Sequence, residues 1–271
     1  MADPLPKFDA PPVLETVIGV QFVPLPNFTG AMAGWFWKSY LSKFGGEWTK
    51  TNDVIPLQDQ FEQFGPGTGW IPPGIHLATT EATRTQLVRS DEERMVQIQF
   101  SRFILNWKRG KNQYPSYDNL LSEFLELFEQ FCLFARDAGY GPLGLNQWEM
   151  TYVNYLERGE LWNNFDDLRK IFKDILIPKS VFPVEFADSI NANWRYLLSD
   201  NAGRLHVTLN HIKTAPENKE VLRLQFVARG PLTQPDMKSL SNSLNLGHEA
   251  IVRTFAAITT SDAQKFWKRT Q

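Results

Sequence analysis

The chain has 271 residues, of which 42% are hydrophobic and 21% are charged, and its formal net charge is −2. This composition excludes a disordered or fibrous chain and leaves room for one or two globular domains. The small net charge also argues against a general nucleic-acid binder, which needs a broad cationic surface. No apolar stretch is long enough to span a bilayer, and the polar, proline-rich start is unlike a signal peptide, so we expect a cytoplasmic protein.

In the first half, residues 13–23 predict a mostly buried strand, because they are rich in β-branched side chains and end at Pro24. Residues 30–44 place aromatic side chains at helical spacing, so they predict an amphipathic helix that stops at Gly45-Gly46. Residues 47–78 combine proline, glycine and scattered apolar groups. They predict a long loop with at most one short strand or helical turn.

A pair of strands is predicted next, over residues 83–89 and 94–107, and a shift of the alternation near the end of the second strand predicts a bulge or bend. Residues 108–115 predict a turn. Ser116 or Asp118 can cap the helix that follows, which places seven large apolar side chains on its inward face. These are Leu120, Leu121, Phe124, Leu127, Phe128, Phe131 and Phe134.

The second half repeats this order. Residues 147–156 alternate as a strand, and residues 166–177 predict a helix whose acidic start suits the positive end of the helix dipole. Three antiparallel strands are predicted to follow, near residues 187–198, 204–212 and 221–229. The closing helix is predicted over residues 235–259.

One segment occurs nearly twice, since residues 84–99 and 194–209 both predict a strand, a Ser-Asp turn, an arginine and an alternating strand. We therefore expect an α+β protein made of two tandem-duplicated halves, residues 1–142 and 143–271, fused into one pseudo-symmetric unit. Each half would run strand, helix, antiparallel strands and long helix, with the long helix covering the sheet. That order is similar to helix-grip folds or to a duplicated TATA-binding-protein saddle, and it does not by itself indicate a function.

The motifs of common chemistry are missing from the sequence. There is no phosphate-binding loop, no dinucleotide-binding glycine motif and no nucleophile elbow. Cys132 lies in an apolar helical run, which is typical of an inert buried thiol. His206 and His211 stand five residues apart on one predicted strand, so they point to opposite faces and cannot chelate one metal ion together. The sequence therefore predicts neither a cofactor nor a metal ion.

Four arginines occupy equivalent positions in the two copies of the repeated segment. They are Arg84, Arg94, Arg195 and Arg204. Two related arginine pairs could line one sheet surface and bind a carboxylate, another anion or a nucleic-acid backbone. The simpler interpretation, which the sequence favours, is that they brace neighbouring strands against acidic partners such as Asp91 and Asp200.

A basic turn with aromatic neighbours is the second candidate surface. It comprises Trp107, Lys108, Arg109, Lys111 and Tyr114. Cationic donors beside aromatic platforms are typical of contacts with a protein partner or with single-stranded nucleic acid. A solvated hairpin turn explains the same residues more simply, and the sequence favours that interpretation.

Several short motifs resemble one known family. They are Pro11-Pro12-Val13-x-Glu15, Gly19-Val-Gln-Phe22, Ile98-Gln99, Asn106-Trp107, Tyr114-Pro115-x-Tyr117 and Thr151-Tyr152-x-Asn154. Together they resemble a sporadically distributed family of prokaryotic proteins of unknown function, over most of the chain. The resemblance brings no catalytic residues. The patchy distribution of that family implies a role in mobile-element, toxin–antitoxin or phage-defence loci.

We therefore expect a non-catalytic recognition protein that binds a protein partner in a toxin–antitoxin, immunity or phage-defence context. A duplicated scaffold rich in aromatic residues offers a broad surface for such a contact, and no reaction motif competes with this interpretation. The first alternative is a small-ligand binder with a cavity between helix and sheet, as in helix-grip proteins. The second alternative is an enzyme with a scattered site. Nucleic acid is a less favoured partner, and the oligomeric state stays open.

Overall fold

One antiparallel sheet of nine strands organises the part of the chain that the computed structural model describes, residues 4–44, 47–64, 83–175 and 187–271. The strands are β1 (Val13–Phe22), β2 (Trp48–Val54), β3 (Arg84–Arg89), β4 (Arg94–Gln99), β5 (Arg102–Lys108), β6 (Leu145–Glu157), β7 (Asn191–Leu197), β8 (Arg204–Lys213) and β9 (Glu220–Pro231). The helices are α1 (Gly30–Ser39), α2 (Tyr117–Asp137), α3 (Leu168–Ile171), α4 (Met237–Ile258) and α5 (Ser261–Phe266). The predicted α+β class is confirmed. No helix within these residues is long and apolar enough to cross a membrane.

The order of the strands places the two halves of the chain side by side. From one edge to the other, the order is β2-β3-β4-β5-β1-β6-β9-β8-β7. β1 and β6 meet antiparallel at the join, where Ile18 stands opposite Met150. Outward from the join, the order is β5-β4-β3 on one side and β9-β8-β7 on the other. Because the join is a ladder of main-chain hydrogen bonds, both halves belong to one continuous sheet.

The predicted strand over residues 94–107 is in fact two strands. β4 ends at Gln99 and β5 begins at Arg102, these two residues stand opposite each other, and Phe100-Ser101 form the turn between them. The prediction of a bulge or bend was therefore wrong. A two-residue turn usually contains glycine or asparagine, and neither is present here, so no local signal indicates a reversal of the chain.

Two other predicted elements differ from the structure. The helix predicted over residues 166–177 is limited to a 3-10 turn, Phe165–Asp167, and α3, because Phe172 is already extended and bridges Thr259. Its last two predicted residues lie outside the described part of the chain. Of the loop predicted over residues 47–78, the described part contains β2 and an extended segment that continues to residue 64. The rest of that loop lies outside the described residues.

The sheet has an apolar face and a polar face, because side chains alternate along each strand. The apolar face is covered by the helices, and its buried side chains include Ile18, Val96, Phe103, Met150 and Phe226. The opposite face, here called the polar face, carries polar side chains on nearly every strand. These are Gln21, Gln86, Gln97, Gln99, Arg102, Asn106, Gln147, Glu149, Arg204, His206 and Arg229. Several of these side chains are buried, and buried polar groups require hydrogen-bond partners, so another segment of the protein is expected to pack on this face.

α2 forms the centre of the core in the first half. All seven apolar side chains that the sequence assigned to its inward face are buried, so that prediction is confirmed. Phe103 of β5 lies against Phe128 and Phe131, with ring centroids 5.4 and 5.2 Å apart. Ser116 caps the helix, since its side chain accepts a hydrogen bond from the amide of Asn119.

Gly247 of α4 marks a close approach of that helix to the sheet. A Cβ atom there would lie 2.6 Å from Cζ3 of Trp148 on β6, whereas a Cβ atom on Gly34 of α1 would meet nothing within 4 Å. We expect Gly247→Ala to lower the free energy of unfolding by about 1–3 kcal/mol through overpacking. The matched Gly34→Ala should raise it by about 0.5–1 kcal/mol, since alanine has the higher helix propensity. Urea unfolding of both variants measures these changes, and a shift in the same direction for both would contradict the close packing at Gly247.

Candidate functional site

An extended segment lies across the polar face. This segment, residues 57–64, follows β2, contains neither helix nor strand, and is called the strap. Side chains from six strands contact it in succession: β4, β5, β1, β6, β9 and β8. From Leu57, which binds Gln99 of β4, to Phe64, which lies under Arg204 of β8, the strap has seven residue steps. Seven steps of extended chain reach about 24 Å, and the five spacings between these strands also cover about 24 Å. The strap therefore crosses the strands and does not run along any one of them.

Two buried glutamines hold the main chain of the strap. Gln99 uses both ends of its amide, since Oε1 accepts from the Leu57 amide at 2.9 Å and Nε2 donates to the Leu57 carbonyl at 2.8 Å. Gln147 acts in the same way further along, because it donates to the carbonyl of Gln60 and accepts from the amide of Glu62 at 3.3 Å. These hydrogen bonds reach main-chain atoms only. They would hold an extended peptide of almost any sequence in the same position.

Glu62 is the anchor of the strap. Its side chain is 5% exposed and lies between Arg204 at 2.8 Å, Arg229 at 2.6 Å and the imidazole of His206 at 2.7 Å. Burial alone would raise the pKa of Glu62, but hydrogen bonds from His206, Arg229 and Arg204 outweigh it and lower the pKa to about 2. The carboxylate is therefore ionised at neutral pH and is held by charge-assisted hydrogen bonds.

A second acidic side chain of the strap lies three residues earlier. The hydroxyl of Ser101 donates to Asp59 at 2.7 Å, and Nε of Arg102 lies 3.7 Å from the same carboxylate. Arg102 also donates to the carbonyl of Gln58 at 2.7 Å. The polar face thus binds two carboxylates that are three residues apart. Its other contacts are with the main chain of the strap, with the side-chain oxygen of Gln60, to which Arg229 donates, and with the ring of Phe64, which lies under Arg204.

The strap does not satisfy every polar atom beneath it. Gln21 is 3% exposed, and its Oε1 accepts from the amide of Gln60 at 3.4 Å, but its Nε2 has no hydrogen-bond partner. Arg102 is 6% exposed, and its Nε likewise lacks a hydrogen bond, although Asp59 is near. A buried donor without a partner costs about 1–3 kcal/mol. The strap is therefore an imperfect complement to this surface.

A ladder of side-chain hydrogen bonds fixes the part of the polar face next to the strap. Gln86 donates to Gln97 at 3.1 Å, Gln97 donates to Asn106 at 2.7 Å, and Asn106 donates to Glu15 at 2.7 Å. These four side chains come from four neighbouring strands. Each amide in the ladder has its orientation set by its neighbours, so this region of the surface is pre-ordered.

The structure separates the four arginines that the sequence grouped together. Arg204 lies on the polar face and binds Glu62, and Arg84 is half-buried on the same face, where burial and then the charge of Arg102 lower its pKa. Arg195 stands opposite His206 on the edge strand β7 and is exposed. Among these three arginines, the ion pair that the described residues show is that of Arg204 with the carboxylate of Glu62.

Arg94 does not belong to that surface, so its predicted equivalence with Arg204 is wrong. Arg94 lies two residues before Val96, which points to the helices, whereas Arg204 lies one residue before Leu205, which also points to the helices. The alternation therefore turns the two arginines to opposite faces. Arg94 forms an ion pair with Glu123 of α2 at 2.7 Å, so this arginine braces the structure, as the simpler interpretation held, but with a different acid.

The aromatic residues of the basic turn face inward. Trp107 is 1% exposed, and its ring meets that of Tyr114 edge to face at a centroid distance of 5.0 Å. The hydroxyl of Tyr114 lies 3.0 Å from that of Tyr152. Because Trp107 is buried and Tyr114 is half-buried against it, the predicted use of the two rings as exposed surface platforms is wrong. The alternation of β5 explains this, since Trp107 shares the apolar face with Leu105.

The cations of the same turn lie at the surface. Lys108, Arg109 and Lys111 are exposed, and the guanidinium of Arg109 donates to the carbonyl of Pro11. The carboxylate of Glu93, which is buried, accepts hydrogen bonds from the main chain and side chain within the turn. No contact in the described part of the chain brings this turn to the strap, so it forms a separate surface.

The described residues contain no group of three or more histidine, cysteine, aspartate or glutamate side chains that could hold a metal ion. Cys132 is half-buried, and burial raises the pKa of its thiol to about 11, so it is a poor nucleophile at neutral pH. His206 contacts the strap, whereas His211 lies against the rings of Trp162 and Phe165.

Sequence reasoning missed the residues that hold the strap, namely Gln99, Gln147, Arg229 and Glu62. A signal for the glutamines was present, because each lies on a strand whose alternate side chains are apolar and buried. A glutamine at such a position predicts a partner on the same face of the sheet. Nothing in the sequence identified residues 57–64 as that partner.

The chain matches no protein-family model, and no curated protein matches its sequence.

Proposed function

We propose that this protein recognises a protein partner by binding an extended acidic segment of that partner across the polar face of the sheet. The observation that carries the proposal is the strap, because the sheet holds its main chain through glutamine side chains and buries its carboxylate. In this proposal the strap is a ligand within the same chain, and the partner segment replaces it. The activity is recognition, with no covalent step.

The contacts of the strap define the segment that the partner would supply. It is extended, and it carries two acidic side chains three residues apart, as Asp59 and Glu62 do. An acidic peptide fits better than a nucleic acid for two reasons. The glutamines bind amide groups, which a phosphate backbone lacks, and Glu149 beside Arg102 and Arg229 would repel phosphate.

Replacement of the strap requires a partner segment that binds more tightly than the strap does. A tethered segment has an effective concentration on the order of millimolar, so a free peptide of the same sequence competes poorly. A partner segment with acceptors for Gln21 Nε2 and Arg102 Nε would form hydrogen bonds that the strap leaves unmade. These additional hydrogen bonds would allow the partner segment to bind the polar face more tightly than the strap does.

The test uses a fluorescein-labelled peptide of residues 55–64 and the full-length protein with Glu62→Gln. The substitution weakens the strap, because it removes the charge from the hydrogen bonds to Arg204, Arg229 and His206. We expect the variant to bind the peptide at least about tenfold more tightly than the wild-type chain does. The reason is that the weakened strap competes less well with the peptide, since each charge-assisted bond contributes about 1.5–3 kcal/mol. Fluorescence anisotropy measures both affinities.

Two controls identify the site, and a second variant replaces Glu62→Gln if that protein does not fold. A peptide with glutamine at the position of Glu62 should bind the variant at least about tenfold more weakly. Arg229→Ala in the Glu62→Gln background should remove binding of the acidic peptide. If Glu62→Gln loses its cooperative thermal transition, Asp59→Asn provides the same comparison at a more exposed carboxylate. A folded variant that binds no peptide, or that binds single-stranded DNA instead, would refute the proposal.

We also propose that the two halves arose by tandem duplication. We further propose that the partner is encoded near this protein, in a toxin–antitoxin, immunity or phage-defence locus, and that both proteins act in the cytoplasm. The matching strand order outward from β1 and β6 supports the duplication. The locus follows from the resemblance to the sporadically distributed prokaryotic family. The strap lies across both halves, since Gln99 belongs to the first half and His206 to the second.

A further inference from the structure

A cavity of about 720 Å³ lies on the side of the sheet opposite the strap, between β6, α4 and the start of α2. The two terminal segments close over it, because the amide of Asp9 donates to the carbonyl of Lys268 at 3.1 Å and the amide of Thr270 donates to the carbonyl of Lys7 at 2.9 Å. Its volume falls within the range of small-molecule sites, about 300–1,000 Å³.

Aromatic side chains form much of the cavity wall. Phe226 of β9 and Phe255 of α4 line it, and Phe8 of the N-terminal segment meets Phe255 edge to face at 5.4 Å. Tyr117 stacks on His248, with ring centroids 3.7 Å apart and planes within 6°. Such walls favour a flat apolar molecule, because aromatic rings bury large areas and stack with other rings.

A connected set of hydrogen-bonding groups lies at the inner end of the cavity. The hydroxyl of Tyr152 lies 2.9 Å from Nδ1 of His248 and 3.0 Å from the hydroxyl of Tyr114. Burial lowers the pKa of His248 to about 4, against the opposing charges of Asp118 and Glu249, and burial raises the pKa of Tyr152. These groups are therefore uncharged at neutral pH, and among the described residues the side-chain hydrogen bonds of His248 involve Nδ1 only.

Charged side chains at the cavity are mostly acidic. Asp9, Asp118 and Glu249 line it together with one cation, Lys7. An anionic ligand would meet three carboxylates and one ammonium group, so the charge repulsion would exceed the attraction while the ligand also loses its hydration. The cavity therefore selects against anions.

We propose that this cavity is a binding site for an uncharged or cationic aromatic small molecule, which lies between the aromatic walls and hydrogen-bonds to Nε2 of His248. The site is independent of the strap, since the sheet separates the two. Binding there would add a small-molecule ligand to the proposed recognition of a protein partner.

The experiment titrates the full-length protein with two naphthalene fluorophores that differ in charge. One is uncharged, 6-propionyl-2-(dimethylamino)naphthalene, and the other is the anion 1-anilinonaphthalene-8-sulfonate. We expect the uncharged probe to bind once per chain with a blue-shifted emission and a dissociation constant on the order of 10 μM. The anionic probe should bind at least about tenfold more weakly.

Two variants of α4 with the same new side chain show where the probe binds. Val252→Trp places an indole in the cavity, and we expect it to weaken binding of the uncharged probe about tenfold or more. Leu246→Trp is the control, because Leu246 is partly exposed on the same helix and does not line the cavity. Three outcomes would each overturn the proposal. The uncharged probe does not bind at concentrations up to about 100 μM, the anionic probe binds more tightly, or Val252→Trp binds the uncharged probe as tightly as the wild-type chain does. If Val252→Trp does not fold, Ile251→Phe provides the same comparison at a second lining position.

Discussion

Phe128→Ala should lower the free energy of unfolding by about 3–5 kcal/mol. Phe128 is fully buried on α2 and is surrounded by the rings of Phe103, Phe124 and Phe131, at centroid distances of 5.4, 5.9 and 6.4 Å. Truncation removes the burial of the ring and leaves a cavity that close-packed neighbours cannot fill. Chemical denaturation followed by far-ultraviolet circular dichroism measures the change.

The matched control is Glu129→Ala, which introduces the same residue at the next position of the same helix. Glu129 is exposed, so we expect its substitution to change the free energy of unfolding by less than about 0.5 kcal/mol. Equal effects of the two substitutions would mean that the inward face of α2 has been assigned incorrectly.

Acidification from pH 6.5 to pH 4 should destabilise the protein through His248, by up to about 3 kcal/mol. Burial, opposed by the charges of Asp118 and Glu249, lowers the pKa of His248 from 6.5 to about 4 in the folded state. The unfolded chain therefore binds more protons over this interval. The stabilising contribution is complete above pH 6.5 and is lost as the pH falls toward the folded value.

His248→Asn is the variant that isolates this contribution. Asparagine places a polar atom near the position of Nδ1, so it can keep the hydrogen bond to Tyr152, but it does not titrate. We expect the free energy of unfolding of the variant to vary less with pH between 4 and 6.5 than that of the wild-type chain. Identical pH profiles would show that His248 titrates normally. Glu62, whose pKa falls from 4.5 to about 2 on folding, also contributes below about pH 5, but it is present in both proteins and cancels in the comparison.

Most of the fold was predictable because its signals are local. The apolar spacing of α2 and the alternation of β6 each follow from one stretch of sequence, and both elements are present where expected. The Phe100-Ser101 turn was not predictable, since neither residue favours a two-residue turn and tertiary packing determines the reversal. The end of the helix predicted from residue 166 has the same cause, because Phe172 pairs with Thr259, which is distant in sequence.

The candidate sites were less predictable than the fold. The sequence indicated Arg204 as a candidate binding residue. Its partner Glu62 lies 142 residues away, in a region that was predicted only as a loop. A one-residue difference in phase was enough to turn Arg94 to the other face of the sheet. The cavity around His248 depends on the meeting of both terminal segments, and no pattern within a single segment indicates such a contact.

The antiparallel pairing of β1 with β6 has a consequence for the integrity of the molecule. The link between the halves is a short connection that contains Gly139 and Gly141, both with positive φ, whereas the halves themselves share ladder hydrogen bonds along most of β1. A cut in this connection would leave two fragments that remain associated as a complementing pair. In either fragment alone, β1 or β6 would become a long edge strand that is paired on one side only, and such an edge is a template for self-association. The integrity of the sheet therefore depends on the ladder between β1 and β6 as well as on the peptide link between the halves.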